Sequence, residues 1–281
     1  MANENVPQKM SIEQASYEQL IASNTAKTLA TQLNLTEVQI AKANTKLLQL
    51  LDDEKLYGCT QISKLRFCYR VATLNYKNDS AVAPVKYGNS VQAQLQYQAM
   101  VEDMLECGGV EETNAVRLFK DVDYKPHVNA LGFTELELPA KIELKDPFQK
   151  LEVIGFYAYA KCKDGRTATS VMSVKECEEY AYKKSISYKK FKDGNSKSAI
   201  WDDEFEKMSL KTVIKNVARQ VLKWFPYDRL SASLSLDQVV FTETGEKYAD
   251  NPDNNRAGGG TKVIKPDEQI IDAQPTTDNK E

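Results

Sequence analysis

Residues 201–225 read WDDEFEKMSLKTVIKNVARQVLKWF. At about 100° per residue this stretch makes a long amphipathic helix. Leu210, Val213, Ile214, Val217, Val221 and Trp224 crowd one half of the cylinder. Lys207, Lys211, Lys215, Arg219 and Lys223 recur every four residues on the other half. The cations are then spaced roughly 6 Å apart, one per turn. A row of that pitch can follow the phosphates of an extended nucleic-acid strand. Cations on the exposed face of such a helix ordinarily serve solvation, but a mixed surface would interleave Glu with Lys at i, i+4. Here Asp202, Asp203, Glu204 and Glu206 gather at the helix start, where they suit the positive end of the dipole.

Outward from this helix, the chain reads as mixed α and β. Ser11 to about Gln32 is a weak helical stretch. Thr36 and Gln39 make a capping box ahead of a second helix, and a third runs over Ile62–Leu74. Ala81–Tyr87 and Ser90–Leu95 pair across a Gly88-Asn89 turn. A helix over Gln96–Cys107 stops at Gly108-Gly109. Asn114–Val122 is a strand, and Phe133–Leu144, interrupted by Pro139, is an edge strand at best. Leu151–Cys162 turns through Lys163–Arg166 into Thr167–Met172. Ser173 and Glu176 then cap a helix over Val174–Lys184. Ser185–Ala199 reads as a polar, Lys-rich loop. With no regular βαβ alternation, the expected class is α+β: a helical N-terminal region, central antiparallel hairpins packed with helices, the long amphipathic helix, and a disordered tail.

The expected organisation is a disordered N-terminus (1–10), a helical region (11–56), a core (57–236) and an acidic, mostly disordered tail (237–281). The net charge of −3 hides an asymmetry. Residues 57–236 hold 27 basic and 23 acidic side chains, whereas residues 237–281 hold 5 and 10. A basic body with an acidic appendage suits a polyanion partner, and such tails can compete for the body's own cations. No apolar run approaches the ~20 residues of a membrane span, and the N-terminus has no signal-peptide pattern, so a cytoplasmic protein without membrane contact is expected. Five cysteines without a CxxC pair read as reduced thiols, and His127 is the only histidine. There is no P-loop and no GxGxxG. A metal, a cofactor and covalent catalysis are not expected.

Two blocks resemble the RecT family of phage single-strand annealing proteins. Residues 81–109, AVAPVKYGNSVQAQLQYQAMVEDMLECGG, are similar to the family's strand–turn–strand–helix block at Pro84, Gln94, Tyr97, Met100 and Gly108. Residues 201–226 match its later block at Trp201, Phe205, Glu206, Met208, Lys211, Thr212, Ile214, Lys215 and Pro226. The chain departs at Gln96, Gln98 and Ala99, where the family has Gly, a basic residue and Gly. The resemblance covers roughly residues 57–230. It implies a hairpin-plus-helix core that binds single-stranded DNA, assembles into rings or helical filaments, and pairs complementary strands through an annealed duplex intermediate without ATP. It also implies a phage 5′→3′ exonuclease and the host single-strand-binding protein as partners.

Annealing changes no covalent bond, so the candidate residues are contacts. Lys211 and Lys215 are expected on phosphate, with Arg219 behind them, Thr212 donating its hydroxyl, and Lys207 and Lys223 at the edges of the arc. Lys189 and Lys190 sit in Tyr188-Lys189-Lys190-Phe191-Lys192, which interleaves aromatics and cations as single-strand grooves do. Lys163 and Arg166 lie at a hairpin tip. Gln94 either bonds a phosphate or holds its turn, and Tyr97 either packs or meets a base. Lys86, on the Pro-containing strand, completes the set. Trp201 and Phe205 are assigned to packing. The rival reading is an oligomeric protein that coats single-stranded DNA or RNA without annealing it. A nuclease is a weaker third reading, given no carboxylate cluster.

Overall fold

The computed structural model describes residues 12–143, 146 and 149–248; the expected disordered N-terminus and residues 249–281 lie outside them. The N-terminal helices are α1 (Ile12–Ala22), α2 (Asn24–Gln32), α3 (Glu37–Leu51) and α4 (Gln61–Ala72), with a 3₁₀ turn at Glu54–Leu56. The single stretch expected up to Gln32 is two helices, because the Ser23 side chain accepts from the Ala26 N–H and caps a new start. The Thr36–Gln39 capping box is present in both directions.

Next come β1 (Val82–Tyr87), β2 (Ser90–Leu95), α5 (Tyr97–Glu106), β3 (Val110–Phe119), β4 (Lys125–Val128), β5 (Thr134–Glu137), β6 (Val153–Cys162), β7 (Thr167–Ser173) and α6 (Val174–Lys184). The expected β1–β2 and β6–β7 hairpins form, and so does the Ser173–Glu176 capping box. The expected edge strand at 133–144 is shorter and pairs with β4 as a separate two-stranded ribbon.

The segment Ser185–Ala199 is not simply a loop. It contains α7 (Ile186–Lys192), capped by the Ser185 side chain. Tyr188 in α7 is buried in an aromatic cluster with Trp201, its ring centroid 6.4 Å from the Trp201 ring. Seven residues are too few to hold a helix by propensity, so this tertiary contact secures it. The long helix is also divided: α8 (Ile200–Asp203) ends at Glu204, and α9 (Phe205–Trp224) follows.

Then come α10 (Asp228–Leu236), β8 (Val239–Phe241) and β9 (Glu246–Tyr248). Residues 239–248, expected within a mostly disordered tail, are thus part of the body. β8 pairs with β2 in a sheet of order β1-β2-β8-β9. Phe241 is fully buried, its ring edge-on to Phe67 of α4 at 5.8 Å. The second sheet has the order β3-β6-β7 and lies against α9. Both sheets are antiparallel, and the fold is α+β as expected. Val213, Ile214, Val217, Ala218 and Val221 of α9 join one continuous core with Leu47, Leu65, Leu95 and Met100.

Two joints fix how α5 meets the C-terminal helices. Asp103, fully buried, accepts from Arg229 Nε at 2.6 Å, from Ser233 Oγ at 2.9 Å and from the Tyr76 hydroxyl. The ring of Phe225, just after α9, lies directly against Gly109, so a Cβ there would run into it. Gly109→Ala is expected to cost about 1–3 kcal/mol by overpacking. Urea denaturation of the variant measures this, and a midpoint equal to the wild type's would show that the ring moves aside freely.

Candidate nucleic-acid interface

The β1–β2 hairpin, the α6–α7 corner and the first turns of α9 enclose a groove of about 540 Å³. Each wall follows from local sequence. The strand alternation of β2 buries Val91, Ala93 and Leu95 and turns Gln92 and Gln94 toward the groove. The capped α6 brings Tyr180 and Lys184 to the opposite wall, and α7 adds Lys190. Helix α9 supplies Met208, Lys211, Thr212 and Lys215, and the elbow between α10 and β8 supplies Asp237 and Gln238.

Six of the sequence candidates therefore meet here: Lys86, Gln94, Lys190, Lys211, Thr212 and Lys215. The central pair is not arranged as expected. The helical wheel puts Lys211 and Lys215 on an open face, but Lys211 is buried and Lys215 nearly so. Lys211 Nζ lies 2.9 Å from Asp237 Oδ1, and Lys215 Nζ lies 2.5 Å from Oδ2. The Leu95 N–H of β2 also donates to Asp237 Oδ1, at 2.9 Å. One carboxylate thus ties the hairpin wall to the helix wall.

Burial alone would raise the Asp237 carboxyl, but Lys211 and Lys215 outweigh it and hold the group well below the usual carboxylate range. Burial pulls the Lys211 ammonium below the ordinary lysine value, against the attraction of Asp237. The elbow is itself specific. Gln238 has φ +74°, the left-handed region that non-glycine residues seldom adopt, and its N–H donates to the Ala93 carbonyl at 2.8 Å. Those bonds aim Asp237 inward.

The Thr212 hydroxyl donates to the Met208 carbonyl at 2.9 Å, so its proton is committed within the helix. The Gln94 amide lies 3.5 Å from Met208 Sδ, and Lys86 Nζ donates to the Tyr57 carbonyl at 2.5 Å. The remaining candidates lie away from the groove lining. Lys207 pairs with Glu204 at 2.6 Å, so an acid does reach the stripe. Lys189 lies over the Tyr182 ring. Arg219 is exposed further along α9. Arg166 bonds Asp164 within its turn and stacks over Trp224 and Phe225 at 4.8 and 5.1 Å. Tyr97 is half-buried and packs against the main core. Trp201 is buried in the aromatic cluster with Phe205 against it, as expected.

Sequence reasoning missed Lys184, Gln92, Asp237 and Gln238. The signal for the last two was the apolar Val239-Val240-Phe241 run after them, which reads as a strand once the acidic composition around it is set aside.

Counting its lining, the groove carries five ammonium groups (Lys86, Lys184, Lys190, Lys211, Lys215) against the single carboxylate of Asp237. Amides and hydroxyls share the space between them with apolar and aromatic side chains, among them Val85, Ile186, Trp201 and Met208. The excess of cations suits a polyanion, which charge and hydrogen bonds of this kind can hold by its backbone. Among the described residues, no group of three or more His, Cys, Asp or Glu is placed to hold a metal. Burial pushes the Cys68 thiol up to about 12 and Cys177 to about 11, so neither supplies a thiolate at neutral pH. No helix among the described residues is long and apolar enough to cross a membrane.

Compared with known protein families, the chain matches the RecT family over residues 32–248. That match extends the resemblance from the two sequence blocks to helix α3 and the β8–β9 hairpin, and leaves α1 outside it. No curated protein matches the chain.

Proposed function

The chain belongs to the RecT family, and on that premise we propose that it binds single-stranded DNA by its backbone and anneals complementary strands without ATP. The family implies single-strand annealing in recombination. The observation that carries the finer reading is the groove itself, with five ammonium groups facing one carboxylate between a hairpin and a helix. Lys86, Lys184 and Lys190 stand on its walls as phosphate contacts. Lys211 and Lys215 act as one unit with Asp237, a floor whose residual positive charge attracts phosphate while its geometry is fixed. Gln92 and Gln94 add neutral hydrogen bonds. Backbone contacts of this kind leave base edges available to a second strand, which annealing requires. No nucleophile is needed, and the protein acts as a binding partner rather than an enzyme.

In this reading copies assemble along the strand as a ring or helical filament in the bacterial cytoplasm. A phage 5′→3′ exonuclease and the host single-strand-binding protein are the partners that expose and cover the strand.

Mixing complementary labelled oligonucleotides with and without the protein, in the absence of nucleoside triphosphate, tests the proposal. Faster pairing with protein is expected. Protection of single strands without faster pairing would favour a coating protein, and cleavage on adding Mg²⁺ would favour a nuclease.

A further inference from the structure

Tyr57 is the most exposed large hydrophobic side chain among the described residues, at 83%. It does not sit on a slack loop. It follows the 3₁₀ turn Glu54–Leu56, in which Leu56 is buried and Asp53 caps the Lys55 N–H at 2.9 Å. The next residues are fastened to the tip of the β1–β2 hairpin. Thr60 N–H donates to the Asn89 carbonyl at 2.8 Å, Cys59 Sγ to the Ser90 carbonyl at 3.2 Å, and Lys86 Nζ to the Tyr57 carbonyl at 2.5 Å. Gly58 adopts φ +83° to let this turn close. The backbone carrying the ring is therefore fixed at the same hairpin tip whose Lys86 and Tyr87 line the groove.

An aromatic ring presented to water on a pinned backbone loses little entropy when something stacks on it. The neighbouring charge narrows what that partner is. Asp52, Asp53 and Glu54 offset Lys55 and Lys64 around the turn, so the ring has no surplus of cations of its own. The polyanion contact comes from Lys86, one residue from Tyr87 and bonded to the Tyr57 backbone. A cation bonded to the backbone of an exposed aromatic residue suits a nucleotide whose phosphate meets the cation and whose base meets the ring.

We propose that Tyr57 is a base-stacking residue at the rim of the groove, taking an unpaired nucleobase of the strand held there. This rests on the single-strand-binding reading above. Its signature differs from that of a phosphate contact, because stacking contributes affinity without releasing counterions.

The test is single-stranded oligonucleotide binding by the full chain carrying Tyr57→Ala or Tyr57→Phe, measured over a range of salt concentrations. Tyr57→Ala is expected to weaken binding about 10-fold with the salt slope unchanged, and Tyr57→Phe to bind like the wild type. The exposure of the ring predicts an unaltered melting temperature for both. A Tyr57→Ala chain that binds as tightly as the wild type overturns this inference alone. So does a changed salt slope, or a changed assembly size with unchanged affinity per protomer, which would make the ring a contact between copies. A wild-type chain that binds no single strand overturns the annealing reading and this inference together.

Discussion

Asp237→Asn is expected to lower the unfolding free energy by about 3–5 kcal/mol, the usual cost of removing one partner from a buried ion pair. The substitution keeps the shape of the side chain and removes its charge. Lys211 and Lys215 would then lie beside each other with no counterion, in a site where Asp237 is only 1% exposed. The Leu95 N–H keeps an acceptor if the amide oxygen faces it, so the loss is electrostatic rather than steric. Urea denaturation at neutral pH measures it, and a loss below about 1 kcal/mol would mean that water reaches the lysines. The pH dependence supplies a second check. The folded carboxyl is held below its unfolded value, so its contribution is fully present above about pH 4 and is lost as pH falls from there toward the folded value. Wild-type stability should fall in that acid window more steeply than that of Asp237→Asn, which has no such proton to take up.

The same triad shows where sequence reading stops. A helical wheel sorts residues onto faces, and it places Val213, Ile214, Val217 and Val221 correctly in the core. It cannot say what covers the other face. The cover here is Asp237, set by an elbow whose Gln238 backbone is left-handed, and nothing local to α9 announces it. Signals that are local in the chain did transfer. Both capping boxes, the Gly88-Asn89 turn of β1–β2 and the β6–β7 hairpin need only residues a few positions apart. Helix α7 did not transfer, because seven polar-looking residues hold a helix only when Tyr188 can reach Trp201. The Asp103 joint likewise gathers residues from three separated segments, Tyr76, Asp103 and Arg229 with Ser233. Of the candidate site, the residue types were legible. Their division into an outer set on the walls and a pair on the floor sharing one carboxylate was not.

That division decides which substitutions report on binding. Replacing Lys211 and Lys215 would leave Asp237 buried without its cations, so weaker binding could reflect a loosened floor. Lys86, Lys184 and Lys190 line the groove from outside the triad and are at least partly exposed. Changing all three to alanine is expected to leave the fold intact, since exposed charge contacts contribute little to stability. Each phosphate contact to a single strand contributes about 0.7 to the slope of log K against log salt. Loss of three should therefore flatten the slope by about 2. If the electrostatic part vanishes near 1 M salt, the same arithmetic gives roughly a 100-fold loss of affinity at 0.1 M. Fluorescence anisotropy of a labelled oligonucleotide, titrated at several salt concentrations, reads both quantities. A folded triple variant with the wild-type slope would remove these lysines from the phosphate path and leave the charged floor as its only candidate in the groove. A slope flattened without loss of annealing rate would instead separate holding a strand from pairing it.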